Sequence, residues 1–140
     1  MDDQQFKADG GKPDHSLLEL GFPNALAFVQ ATLDYGAKKY EAHSWRNVPN
    51  GLERYDKAAR RHKKDRDLAM AWYMARGAPN YGHFTTDQES GLPHIAHELF
   101  NLMAVIELVL QKNPDIDVSA ILTPNEPPQE HKNVSTPTTS

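Results

Sequence analysis

His94, His97, Glu98 and Asn101 recur at i, i+3, i+4 and i+7, the spacing that gathers four side chains on one face of a helix, within an arc of roughly 100°. Two imidazoles and a carboxylate within two turns can coordinate a divalent metal, or supply a general base and the group that orients it. Glu98 and Asn101 also form a Glu-x-x-Asn pair, a carboxylate and an amide oxygen of the hard kind that suits Mg²⁺. Histidine prefers softer ions such as Mn²⁺, Co²⁺ or Zn²⁺. The residue types leave both choices open: with Mg²⁺ the imidazoles would face phosphate or water, whereas a transition metal could recruit them directly. Glu89 lies just upstream as another carboxylate. The plain alternative for each of these groups is a polar side chain satisfied in the core or by water.

A second group is basic: Lys38, Lys39, Arg46 and Arg54, then Arg60, Arg61, His62, Lys63 and Lys64. A helix over this last run turns only part of it inward, so Lys63 and Lys64 are expected on a solvated face. Arg61 and His62 are the stronger site candidates, with His62, like His97, a possible general base. A guanidinium can grip a phosphate in two places and a lysine neutralises it as a point charge. Tyr40, Trp45 and Tyr55 sit close to these cations in sequence. Ring faces beside cations are what a nucleobase joined to phosphates requires, although core packing would explain Tyr55 equally well. No GxxxxGK[ST] loop, GxGxxG fingerprint, G-x-S-x-G elbow or cysteine is present. P-loop, Rossmann and cysteine-nucleophile chemistries are therefore not indicated.

Positioning these groups calls for helices. Leu26, Val29, Leu33, Ala37 and Tyr40 recur at helical spacing after Phe22-Pro23-Asn24, with Lys38 and Lys39 at the end favoured by the helix dipole. A second helix is expected from about Leu52 to Lys64, facing inward with Leu52, Tyr55, Ala59 and His62. A third, shorter one spans LAMAWYMAR, capped by Asp65 or Asp67 and stopped by Gly77 and Pro79. After a long loop holding Tyr81, His83, Asp87 and Glu89, residues 92–111 form a fourth. That helix is apolar around most of its circumference, with Ile95, Leu99, Phe100, Leu102, Met103, Ile106, Val109 and Leu110. It is expected to be central, with its polar stripe buried or lining a pocket. The expectation is an all-α, compact four-helix bundle: an extended segment over residues 1–14, a helical domain over 15–112, and a Pro/Thr/Ser-rich tail over 113–140, disordered beyond about Pro124.

Composition sets outer bounds. The 140 residues are 39% hydrophobic, enough for one core, and the net charge of -4 argues against general duplex binding while leaving room for a local basic face. The absence of cysteine excludes disulfides and thiolate metal sites. With no long apolar run and no signal-peptide pattern near Met1, a soluble, cytoplasmic protein without a membrane partner is expected. Short helices that leave an apolar helix to cover suggest a homodimer or homotetramer.

The blocks K-x-D-x-G-K-P (Lys7, Asp9, Lys12, Pro13), L-D-Y-G-A-K-K-Y followed by Trp45, R-Y-x-x-A-x-x-R-H and E-S-G-L-P-H-I-A-H stand in this order over about Lys7 to Leu110. Together they resemble the phage-associated dATP/dGTP diphosphohydrolases, a family that includes the MazZ proteins of phages that replace adenine with 2-aminoadenine. The resemblance implies a MazG-like, all-α pyrophosphohydrolase that cleaves a purine dNTP to dNMP and pyrophosphate with a divalent cation, Mg²⁺ first and Mn²⁺ or Co²⁺ next. It places Glu98 and Asn101 where such enzymes carry a Glu-x-x-Asp pair. Asn101 departs from the acid, and the second helix offers Glu53 and Asp56 in place of a Glu-x-x-Glu pair. His94, His97, Asp87 and Glu89 would complete the ligands, with Lys38, Lys39, Arg54 and Arg61 on the triphosphate and Tyr40, Trp45 or Tyr55 at the base. A nucleotide-binding protein that does not turn over, a sponge or regulatory subunit, is the alternative, followed by a purely structural helical module.

Overall fold

The computed structural model describes residues 12–128, which form helices and turns with no strand among them. Expectations that fall on residues 1–11 and 129–140, which include most of the extended segment and the end of the tail, lie outside the described residues. The chain divides into two compact units, Met1–Val109 and Leu110–Ser140.

In the first unit a one-turn helix, α1 (Ser16–Glu19), follows Asp14, whose carboxylate accepts the Ser16 N–H at 3.1 Å and the Ser16 hydroxyl at 2.5 Å. Helix α2 (Pro23–Lys39) opens on proline, whose missing N–H is no loss in a first turn, and closes with Lys38 and Lys39 near its free carbonyls. It buries Val29 and Thr32, and the Thr32 hydroxyl donates to the Phe28 carbonyl at 2.9 Å.

Helix α3 (Gly51–Met74) corrects the expected boundary: the second and third predicted segments are one continuous helix of 24 residues. The reason lies in the join. No glycine or proline interrupts residues 52–74, and Asp67 pairs with Lys63 at 2.7 Å along the helix instead of capping a new one. Glu53 with Lys57 and Asp56 with Arg60 repeat that pattern at 2.9 and 3.1 Å. Such exposed i,i+4 pairs add little stability and keep this face in water. The opposite face buries Gly51, Ala59 and His62. Gly77, in the left-handed region at φ 76°, ends the run.

The next segment is a 3-10 turn, Pro79–Phe84, laid against α3. Gly82 makes this possible, because a Cβ there would sit 2.5 Å from Met70 Cα and 2.6 Å from Met70 N. Residues 85–93 then close a tight loop through a bridge between Thr86 and Pro93, and the His94 N–H donates to the Thr85 carbonyl at 2.9 Å. Helix α4 (His94–Lys112) starts there and buries Ala96, Asn101, Ala104 and Leu108. It runs antiparallel to α3: Leu108 lies against Gly51, Phe100 against Tyr55, and His94 against His62. The expectation of a central α4 needs revision, since Leu99, Leu102, Met103 and Ile106 are exposed, Ile106 at 59%. One stripe of the helix meets the rest of the unit, and three long helices cannot enclose the remainder.

The second unit holds the last residues of α4 and a one-turn helix, α5 (Val118–Ile121), whose first turn is capped by Asp117, an acceptor for the Ala120 N–H at 3.1 Å. Residues 124–128 have no regular structure.

Candidate active site

The antiparallel pairing of α3 and α4 brings three histidines together. The Nδ1 atoms of His62 and His94 lie 3.0 Å apart, and His97 stacks on His62 with ring centroids 4.7 Å apart and 13° between planes. Asp65 is one turn beyond His62 on the same face, and ligand atoms of His62, Asp65 and His94 all lie within 4.8 Å of one another. Two imidazole nitrogens and a carboxylate oxygen at such separations form a donor set that a divalent cation can share.

Two of these rings lie where protonation is disfavoured. Burial, followed by the charges His97 and His94 would carry, pushes His62 down from 6.5 to about 4. Burial also lowers His97, against the opposing pull of Asp87. A neutral imidazole keeps the lone pair that metal coordination or proton abstraction requires.

The loop at 85–93 supplies the other wall. Asp87 donates its N–H to the Leu92 carbonyl and accepts the Gly91 N–H, both at 2.8 Å, with Gly91 in the left-handed region at φ 74°. The Asp87 carboxylate accepts the Ser90 N–H at 2.9 Å, and the Ser90 hydroxyl meets Nε2 of His97 at 2.7 Å. Burial alone would raise the Asp87 pKa, but the N–H and hydroxyl of Ser90 more than offset it and hold the group acidic. Glu89 pairs with Lys39 at the end of α2. Lys39, and then Tyr35, lower its pKa, while burial, and then Glu89, raise that of Tyr35. The Tyr35 and His97 rings lie nearly perpendicular, at 86°, with centroids 6.5 Å apart.

This loop and the three long helices lie within residues 2–118, the span matched by the family model described as dATP/dGTP diphosphohydrolase, N-terminal. The chain belongs to the dATP/dGTP diphosphohydrolase family. No significant match occurs among curated proteins or among solved structures. Membership makes the protein an enzyme of the nucleoside triphosphate diphosphohydrolase class, with a deoxynucleoside triphosphate as the substrate the family implies. No helix among the described residues is long and apolar enough to cross a membrane.

Within this diphosphohydrolase the sequence candidates fall into three groups. His62, His94 and His97 converge. Glu98 and Asn101 share the helix face but have other partners: Glu98 takes three hydrogen bonds from Arg66 at 3.1–3.2 Å, and the buried Asn101 amide donates to the His97 carbonyl at 2.7 Å. Arg66 also reaches Nδ1 of His83 at 3.2 Å, tying the 3-10 turn to both helices. Glu89 lies with Lys39 rather than among the ligand atoms around His62.

The substrate-side candidates form the outer group. Lys38, Tyr40, Arg54 and Arg61 are exposed, and Arg61 is near enough to help depress both His62 and His97. Tyr55 donates its hydroxyl to the Trp45 carbonyl at 3.0 Å and packs edge-on to Phe100, so it braces the turn that carries Trp45. Cations already lie over two ring faces, Arg46 at 4.7 Å from the Trp45 centroid and Lys39 at 5.1 Å from that of Tyr40.

Sequence reasoning passed over Asp65, considered only as a cap, and Arg66 and Ser90. His62-x-x-Asp65 has the same helical spacing that singled out His94 and His97, and it was the available signal. Nothing local marks Arg66, whose partners lie 17 and 32 residues away.

The depressed histidines set a pH dependence. With a folded-state value near 4 against 6.5, His62 is protonated more readily in the unfolded chain, so its contribution is fully present above about pH 6.5 and is lost as pH falls toward 4. His97 acts in the same direction. Urea unfolding between pH 7.5 and 4 is expected to show stability falling as the pH drops below about 6.5. A flat profile would count against buried neutral rings.

Proposed function

We propose that this protein hydrolyses dATP or dGTP to the dNMP and pyrophosphate, with a divalent cation held by His62, Asp65 and His94. The observation that carries the reading is the convergence of those three donors within 4.8 Å. The donor chemistry fits a cation, and two imidazoles shift the expectation from Mg²⁺ toward Mn²⁺ or Co²⁺. Such an ion neutralises charge on the phosphates and makes water a stronger acid.

The remaining steps belong to the chain's own residues. His97 takes the proton of the water that attacks the α-phosphorus, and the bond from that phosphorus to the bridging oxygen of the leaving pyrophosphate breaks. Arg61, Lys38, Lys39 and Arg54 pair with the triphosphate and the leaving group, while Trp45 or Tyr40 offers a ring face to the purine and Tyr55 holds the Trp45 turn. Glu98 and Asn101 keep α4 in place, and Glu89 holds Lys39 until phosphate competes for it. A homodimer or homotetramer would cover Leu99, Leu102, Met103 and Ile106. By the family resemblance, the setting is phage nucleotide metabolism in a host cytoplasm.

The test is incubation of the full chain with dATP and dGTP and each of Mg²⁺, Mn²⁺ and Co²⁺. Equal amounts of dNMP and pyrophosphate, abolished by a chelator, are expected; no product with any ion sinks the proposal. One observation favours a second reading, nucleotide binding without turnover: Glu89 and Glu98 are both paired with cations of the same chain. Calorimetry that shows tight binding of a dNTP recovered intact would select it.

A further inference from the structure

The guanidinium of Arg66 faces two residues that lie on either side of the active-site loop. Its Nε and Nη2 donate to the Glu98 carboxylate at 3.1–3.2 Å, and Nη1 lies 3.2 Å from Nδ1 of His83. Arginine carries N–H donors and no acceptor, so the direction of the second contact is fixed. Nδ1 of His83 accepts with its lone pair, which places the proton of that ring on Nε2. Two edges of one rigid plane are used in this way, and the position of residue 83 relative to residue 98 follows from the covalent geometry of a single group.

Between these two anchors runs the segment that carries much of the site. Residues 84–97 include Asp87, Glu89, Ser90, His94 and His97. The Thr86–Pro93 bridge and the bond from the His94 N–H to the Thr85 carbonyl close the segment on itself, but neither ties it to α3. Gly82 brings the preceding turn close to Met70 of α3, yet it has no side chain with which to hold a direction. The contact of His83 with Arg66 supplies that direction. It matters because Ser90 Oγ meets Nε2 of His97 at 2.7 Å while His94 meets His62 at 3.0 Å, so the loop, α4 and α3 must all keep one offset. From this geometry we infer that His83 is a positioning residue for dNTP hydrolysis: through Nδ1 it lets Arg66 anchor both ends of residues 84–97 to α3, and so sets where the loop meets His97. The effect on turnover rests on the proposed hydrolysis, in which His97 takes the proton of water; the anchoring itself does not.

Three variants of the full chain test this. His83→Asn keeps an acceptor bonded to Cγ, in the place of Nδ1, His83→Gln moves the amide one carbon further out, and His83→Leu has no acceptor. Long-range ¹⁵N–¹H NMR of the parent at mildly alkaline pH, with the residue assigned from the signal lost in His83→Asn, should find the His83 proton on Nε2. In native-state amide exchange the Asp87 and Gly91 N–H groups, which bond to the Leu92 and Asp87 carbonyls, should exchange about 10-fold faster in His83→Leu, the scale of one lost anchoring hydrogen bond, with α2 unchanged. His83→Asn should restore the slow exchange and His83→Gln should not. A proton on Nδ1, loop exchange unchanged in His83→Leu, or an equal rise throughout α2 overturns the inference. If His83→Leu does not fold, His83→Asn is compared with His83→Gln, and equal loop exchange in the two overturns it.

In the kinetic arm, His83→Leu should lower kcat for dGTP by about 10- to 100-fold, the cost of a displaced active-site group, with KM little changed, and His83→Asn should recover most of the loss. Unchanged kcat despite faster loop exchange would overturn the role in turnover. A wild-type protein that shows the Nε2 proton and the slow loop exchange but hydrolyses no dNTP would overturn the hydrolysis reading while supporting the anchoring.

Discussion

His62→Gln is expected to weaken Mn²⁺ or Co²⁺ binding by at least about 100-fold, the upper end of what losing a group that merely orients a ligand costs, and to take dNTP hydrolysis down with it. His62 is the residue on which the cluster turns, since it faces His94 at 3.0 Å, stacks on His97 and shares a helix face with Asp65. Glutamine keeps much of the volume and a polar end for His94, so the helix pairing should survive. The same variant carries a second readout that needs no metal. Removing the ring whose pKa is pushed down to about 4 removes a proton-linked loss of stability, so the decline between pH 6.5 and 4 should become shallower than in the parent. Metal titration by calorimetry and urea unfolding across that range decide the matter. Unchanged metal affinity would show that the three donors do not form the cation site.

Arg66→Met should destabilise the protein by about 3 kcal/mol, the lower end of the cost of removing one partner from a buried ion pair. The side chains of Arg66 and Glu98 are 14% and 15% exposed, and their contact is forked, so the variant strands a largely desolvated carboxylate. Glu98→Gln should cost less, because a neutral amide still accepts from the guanidinium. The double variant Arg66→Met/Glu98→Leu should recover most of the loss, since an apolar pair of similar volume carries no desolvation cost. Chemical denaturation of the three variants checks the series, and a double variant no more stable than Arg66→Met would refute the clamp. Metal affinity in Arg66→Met discriminates further. If Glu98 serves only to hold α4, affinity should stay within a few-fold of the parent; a marked gain would mean that Arg66 withholds Glu98 from the cation.

Much of the scaffold was legible in the chain because it depends on local rules. Pro23 and the lysines at 38 and 39 bracket α2, Gly77 ends α3, and the histidine spacing puts His94 and His97 on one face of α4. These are properties of a few consecutive residues and of helical periodicity. The break expected near Asp65 failed because aspartate favours a helix start but does not forbid continuation. Without glycine or proline, Lys63 and Asp67 can pair along an unbroken helix. The apolar girth of α4 likewise described the sequence without saying how much surface three helices can cover.

Which polar groups share a site was a tertiary decision. Glu98 and His97 are adjacent in the chain, yet one takes a guanidinium from the middle of α3 and the other takes the Ser90 hydroxyl and the face of His62. A side chain's partner is set by the crossing and register of the two helices, and a single sequence carries no direct record of either. The residue types and their helical spacing therefore determined that this protein has imidazole and carboxylate donors together with basic and aromatic side chains. Only the packing of α3 against α4 decided that His62, Asp65 and His94 converge, because contacts between residues some 30 positions apart depend on the fold as a whole and not on local pattern.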